Sequence, residues 1–194
     1  MARTSDRKNQ ILQTLAQMLE RPIAERITTA ALAKRLDVSE AALYRHFSGK
    51  AQMFEGLIDF VEGTIFALIN KITTEEKSGV RQVEAVIGVL LGFAQKNRGM
   101  TRVLIGDALV NEDERLQQRI NQLHERLEAT VRQSLRFAAT QNEIAQDVDA
   151  GAQANLAISF VIGRWHQFAK SGFKRDPTEL WARQWKQLME GVLA

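Results

Sequence analysis

Apolar side chains recur along this chain mostly at the 3.6-residue spacing of amphipathic helices, with few of the alternating stretches that mark strands. Ile11, Leu12, Leu15, Met18 and Leu19 form one apolar stripe and predict a helix from about Ser5 to Glu20. The segment RPIAER interrupts it. Thr28 then reads as the N-cap of a short helix, TAALAKRLD, with Ala31, Leu32 and Leu36 toward a core and Lys34 and Arg35 outside. DVS is a turn, and Ser39 caps a third helix from Glu40 to about Phe47. FSGK ends that helix through Gly49 and opens a long fourth one. Met53, Leu57, Val61, Ile65, Leu68 and Ile72 mark the fourth helix, and Phe54, Ile58, Phe60 and Phe66 widen its apolar arc.

After the polar break TTEEKSGV, the residues Val83, Val86, Ile87, Leu90, Leu91 and Ala94 predict a fifth helix, closed by Gly99. A short helix from Thr101 to Leu109 comes next. Leu116, Ile120, Leu123, Leu127, Val131 and Leu135 then trace a long helix with a charged opposite face. AATQNEIAQDVDAG predicts a mobile loop. An apolar helix follows from Ala152 to about Lys170, and a last one is opened by DPTELW, with Asp176 as N-cap and Pro177 in the first turn. The expected fold class is all-α, with about nine helices and no sheet.

Composition narrows the chemistry. Of 194 residues, 45% are apolar and 25% charged, enough to bury a core in a soluble chain. Cysteine is absent, so neither a disulfide framework nor a thiolate metal site is available. The three histidines, His46, His124 and His166, are far apart and lack metal-ligand spacing, so no metal and no cofactor is expected. No glycine-rich phosphate loop and no activated nucleophile motif is present, which argues against an enzyme. No window reaches membrane-span length and the first ten residues lack a signal-peptide core, so a cytoplasmic location is expected. Net charge is +3, unevenly placed: residues 1–50 carry nine Lys/Arg against five acids, and the remaining 144 carry 17 against 18. A basic head on a neutral body points to a polyanion at one end.

The stretch SEAALYRHFSGK gives that polyanion a form. Two short helices joined by a tight turn make a helix-turn-helix. Ala41 and Ala42 open the second of them, where small side chains permit close approach to a major groove and contact with a thymine methyl. Lys50 stands near the start of the fourth helix, where free amides and an ammonium can together hold a phosphate. Thr28 and Thr29 can do the same at the second helix.

The pattern ITTAALAKRLDVSEAALYRHFSGKAQMFEGLI resembles the DNA-binding domain of the TetR family, the tetracycline-repressor-like regulators, in its I-T-T entry and its Y-x-H-F-x-x-K close. The resemblance implies a DNA-binding domain over residues 1–50 and a helical regulatory and dimerisation domain over residues 51–194. Carried over, Thr28, Thr29, Tyr44, His46 and Lys50 would chiefly contact phosphates, and Ser39, Glu40, Ala41, Ala42 and Arg45 would lie where bases are read. LLGFAQKNRGMTRVLIGDAL and ERLQQRINQLHERLEATVRQSLR extend the likeness, and they are similar to the nucleoid occlusion branch of that family. That branch implies a homodimer on palindromic chromosomal sites that antagonises a tubulin-like division protein over the nucleoid. Partner contacts would fall on Phe60, Val89, Gly92, Lys96 and Asn97. The chain departs from the branch at three positions: Leu68 where an arginine is expected, Lys96 as lysine rather than arginine, and Arg98 for proline.

Two further expectations concern the second domain. Leu156, Phe160, Trp165 and Phe168, followed by Trp181, Trp185, Leu188 and Val192, offer more aromatic surface than a monomer should expose and predict an intermolecular four-helix bundle. The alternative function, a repressor released by a small ligand, would need a cavity drawing on Phe93, Met100, His124, Trp165 and His166. No polar cluster converges at pocket spacing, which favours ordinary packing roles for these five.

Overall fold

The computed structural model describes residues 2–21 and 27–193. The break assigned to RPIAER therefore lies, after Arg21, outside the described residues. Nine α-helices occur among the described residues: α1 (Ala2–Leu19), α2 (Thr29–Arg35), α3 (Glu40–Tyr44), α4 (Lys50–Glu75), α5 (Gly79–Lys96), α6 (Arg98–Leu104), α7 (Glu114–Thr140), α8 (Ala150–Lys170) and α9 (Trp181–Leu188). A 3-10 turn spans Asp107–Leu109, and the only strand-like pairing among these residues is an isolated antiparallel bridge between Ile144 and Leu193. The all-α expectation holds.

Packing divides the chain elsewhere than at residue 50. One compact unit takes the chain as far as Val61 together with Asn97–Ile120; the other takes Glu62–Lys96 and the residues from Asn121 onward. In the first unit, Ile11, Leu15 and Leu19 of α1, Leu32 of α2, Leu43 of α3 and Phe47 are buried with Met53, Phe54, Leu57 and Ile58 of α4. Val103, Leu104, Leu109 and Leu116 complete that core from far along the chain.

Gly99 shows why they belong there. It does not close α5, as its position suggests, but lies inside α6, where a Cβ would fall 1.9 Å from the carbonyl oxygen of Ala16. Only a glycine lets the two helix backbones come this close. Arg102 fastens the same crossing. Its guanidinium donates to the carbonyls of Leu19 (3.4 Å) and Arg21 (2.9 Å) at the open end of α1, and Asp107 holds it at 2.9 Å. The helix predicted over 101–109 breaks at Gly106, whose φ of 75° ends α6 before the 3-10 turn.

In the second unit, Val83, Val86, Ile87, Leu90 and Leu91 of α5 are buried with Leu123, Leu127, Val131 and Leu135 of α7 and with Ala154, Ile158, Val161 and Trp165 of α8. Gln82 is buried too, and fully used. It donates to the carbonyls of Thr73 in the last turn of α4 and of Glu76 just after it, and accepts from Ser134 at 2.9 Å, so its own amide is satisfied inside the core.

Two loop expectations are corrected here. The segment predicted as a mobile loop is non-helical over residues 141–149, but it is firmly held. α7 runs to Thr140, Ile144 is buried, and the Glu143 carboxylate accepts from Ser78 Oγ (3.0 Å) and the Val80 amide (2.9 Å). Asp149 caps α8 through the amides of Gly151 and Ala152, which hold its carboxyl below the ordinary carboxylate range. Asp176 does not cap α9. Its carboxylate accepts from the Thr178 amide (2.8 Å) in a separate turn, and Leu180, in a left-handed conformation at φ 66°, stands between that turn and the helix.

Candidate nucleic-acid interface

The reading head begins with two capped helices. Thr28 Oγ1 accepts from the Ala31 amide at 3.1 Å and Ser39 Oγ from the Ala42 amide at 3.2 Å, so each short helix starts at a side chain chosen for the purpose. Between them the chain reverses at Asp37, which takes the left-handed conformation (φ 54°) that aspartate tolerates better than most residues, while the Val38 amide donates back to the carbonyl of Ala33. Leu32, Ala33 and Leu43 bury the inner faces of the pair.

What remains outside is the set the sequence singled out. Ser39, Glu40, Ala41, Tyr44 and Arg45 are exposed, and Ala42 is half-buried. α3 is shorter than predicted: it ends at Tyr44, and Arg45 caps it, so His46 and Phe47 belong to the turn into α4. Phe47 is buried with Lys8 lying 5.6 Å from its ring centre. His46 is half-buried, with Nδ1 buried and lacking a hydrogen-bond partner, so the ring is only partly available to a phosphate.

Two contacts tie the expected DNA residues to one another in ways that spacing did not reveal. Thr29 Oγ1 donates to Glu40 Oε2 at 2.6 Å, and the Tyr44 hydroxyl stands 3.5 Å from the same Thr29 oxygen. The Thr29 proton is thus committed to Glu40, whereas the Thr28 hydroxyl accepts its cap bond and keeps a proton to give. Lys50, the first residue of α4, is ion-paired with Glu112 and lies 5.7 Å from the ring centre of Phe54. Glu112 is 62 residues further on, and no local pattern announces it.

The expected dimer residues separate into two groups. Trp165, Phe168, Trp185 and Val192 are buried within the protomer, with Trp165 fully enclosed and its indole N–H donating to the carbonyl of Leu90 at 3.0 Å. These four are chiefly core residues of the protomer. Phe160, Trp181 and Leu188 are half-buried. The outward side of α8 carries Leu156, which is among the expected residues, together with Ser159 and Gly163; Leu156 is 52% exposed and open space lies where a Gly163 side chain would be.

The expected division-partner residues are placed one by one. Phe60 is 51% exposed, Val89, Gly92 and Asn97 are half-buried, and Lys96 is exposed at the end of α5. Of the pocket candidates, Phe93 and Trp165 are buried in the core, the His124 ring lies tilted at 6.0 Å from that of Trp165, Met100 is half-buried, and His166 is exposed. None of these five lines the polar cleft of about 380 Å³ that Asn70, Thr73, Gln82, Thr130 and Gln133 help to form. Among the described residues, no group of His, Cys, Asp or Glu is arranged to hold a metal ion, and no helix is long and apolar enough to cross a membrane.

Comparison with known proteins divides the chain in two along its sequence. The profile of the bacterial regulatory proteins, tetR family, matches residues 12–57. The profile described as tetracyclin repressor-like, C-terminal domain, of the SlmA-like type, matches residues 77–192. The chain is 49% identical to the nucleoid occlusion factor SlmA of Alteromonas mediterranea, over 93% of each chain. It is also 49% identical to the SlmA protein of Idiomarina loihiensis, covering 97% of this chain and 95% of that one. A TetR transcription regulator from Haloarcula marismortui superimposes with a TM-score of 0.82 at 16% identity, over 98% of this chain and all of the other, which is a likeness of fold.

Proposed function

Because the chain belongs to the SlmA nucleoid occlusion factor family of TetR-type regulators, we propose that it binds palindromic chromosomal sites as a homodimer and, from the nucleoid, inhibits assembly of the tubulin-like division protein. It is a DNA-binding factor and not an enzyme. The observation that carries the reading is that the likeness to nucleoid occlusion factors spans both halves of the chain, while the reading head keeps its caps, its buried inner face and its exposed Ala41 and Arg45.

In this reading Ser39, Glu40, Ala41, Ala42 and Arg45 face base edges, and Thr28, Thr29, Tyr44, His46 and Lys50 anchor the backbone. An isologous dimer built on the exposed side of α8, with Phe160, Trp181 and Leu188 at its margin, relates two heads by a twofold axis, and palindromic sites suit that symmetry. Phe60, Val89, Gly92, Lys96 and Asn97 are each proposed, singly, as contacts for the division protein.

The test is a map of occupied DNA across the genome by crosslinking and sequencing. Dozens of palindromic sites, thin near the replication terminus, are expected. One or two sites beside a single gene would instead mean a local repressor, and the nucleoid reading would fall.

A further inference from the structure

Lys50 has two claimants. It opens α4, where the first-turn amides lack helical acceptors and a DNA phosphate is the natural guest. In the free chain its ammonium is already held by the carboxylate of Glu112, and the side chains are only 22% and 15% exposed. A lysine cannot give its full charge to a phosphate while a shielded carboxylate holds it. Because shielding from water makes the pair worth more than an open surface pair, breaking it costs more.

The surroundings single out Glu112 among the nearby acids. Asp113, its neighbour, is occupied elsewhere: its carboxylate accepts from the Arg115 guanidinium at 2.6 and 3.0 Å and from the Arg115 amide at 3.0 Å. Glu112 lies in a tight turn between the 3-10 turn and α7, with its amide donating to the carbonyl of Leu109 at 3.0 Å and with Asn111 left-handed at φ 65°. This turn, bent through an uncommon backbone conformation, delivers one carboxylate to one DNA-contacting lysine.

We propose that Glu112 is a built-in competitor for DNA: it occupies Lys50 in the free protein and is displaced by a backbone phosphate on binding, so that it sets DNA affinity downward on every sequence. The inference rests on the DNA-binding reading above and on Lys50 as a phosphate contact. Since phosphates carry no sequence information, the effect is uniform across DNA and leaves sequence preference intact.

The experiment measures binding of the full chain to a fluorescein-labelled 30-base-pair duplex of mixed sequence, at fixed salt. Wild type, Glu112→Gln, Glu112→Asp, Lys50→Ala and the double variant Lys50→Ala/Glu112→Gln are compared. Glu112→Gln is expected to tighten binding about fivefold, and to change it by less than about twofold when Lys50 is already alanine. Glu112→Asp keeps the charge but draws the carboxylate back by one methylene, so it is expected to tighten binding as well. It also stands in should the glutamine variant lose its thermal transition.

Equal tightening in both Lys50 backgrounds would reduce the effect to loss of a distant negative charge and overturn the proposal. Weaker or unchanged binding in Glu112→Gln would make Glu112 a support for Lys50 and overturn it too. Lys50→Ala binding as tightly as wild type would remove the phosphate contact, and wild type failing to bind any duplex would remove the DNA reading itself. These two failures are thereby told apart from failure of the competitor.

Discussion

At the scale of single residues, the head is governed by which polar atoms are already spoken for. Ser39 and Thr28 spend acceptor capacity on caps, Thr29 spends its proton on Glu40, and Arg45, exposed at the end of α3, is left to reach outward. Arg45→Ala is therefore expected to weaken binding to the natural sites more than binding to mixed-sequence DNA, by about 1–3 kcal/mol if it reads a base edge. Lys50→Ala should instead lower affinity on all sequences alike and reduce the slope of log K against log salt by roughly one. A salt titration on one specific and one mixed duplex separates the two; unchanged binding in both variants would undo the assignment of the head. The sequence displayed these residues because capping and charge are local properties. It hid the pairing of Lys50 with Glu112, because nothing at position 50 records what the fold brings up from position 112.

At the scale of elements, aromatic spacing proved ambiguous. Trp181, Trp185 and Leu188 recur at helical intervals, but a regular stripe says only that one face of a helix is covered, and here much of the cover is intramolecular. Trp185 is 9% exposed with its ring 5.6 Å from that of Trp181, so Trp185→Asp would place a charge in the protomer's own core and unfold it, with no information about a dimer. Leu156→Asp is the informative change. Its side chain stands 52% exposed on α8, and the variant is expected to sediment as a monomer while keeping its helical circular dichroism. A stable dimer would remove α8 from the interface.

The connection from α8 to α9 makes a second prediction. Burial pushes the Asp176 carboxyl up, but the Thr178 hydroxyl and amide, the Gln95 amide and Arg164 outweigh it and hold the group below its ordinary value. A depressed carboxylate contributes stability above its unfolded pKa and loses it as pH falls through the folded one. The melting temperature should drop on acidification below about pH 4, and Asp176→Asn should narrow the gap between about pH 7 and about pH 3. An unchanged gap would mean that the turn at 176–179 carries no linked charge.

At the scale of the molecule, the helical class and the order of elements were legible because a 3.6-residue period survives in all the long helices. The boundary of the head was not, since α6 and the start of α7 join it through contacts such as Gly99 on Ala16 and Arg102 on the end of α1, made about eighty residues apart. Recognition of a division partner sits at the far end of that scale, and Lys96 is the place to test it. It is exposed in the last turn of α5, where a cation suits the helix dipole, and no ion pair holds it among the described residues. Lys96→Glu should therefore leave the melting temperature nearly unchanged and DNA affinity intact, yet abolish the proposed block by the DNA-bound protein on assembly of the tubulin-like division protein, followed by light scattering. Leu68, 42% exposed where the family expects an arginine, supplies the opposite arm. If an acidic segment of the partner docks here, Leu68→Arg adds the missing cation and should strengthen the block, more so at low salt. Inhibition that survives Lys96→Glu and ignores Leu68→Arg would mean that the partner is met elsewhere, or through apolar contacts such as Phe60 alone.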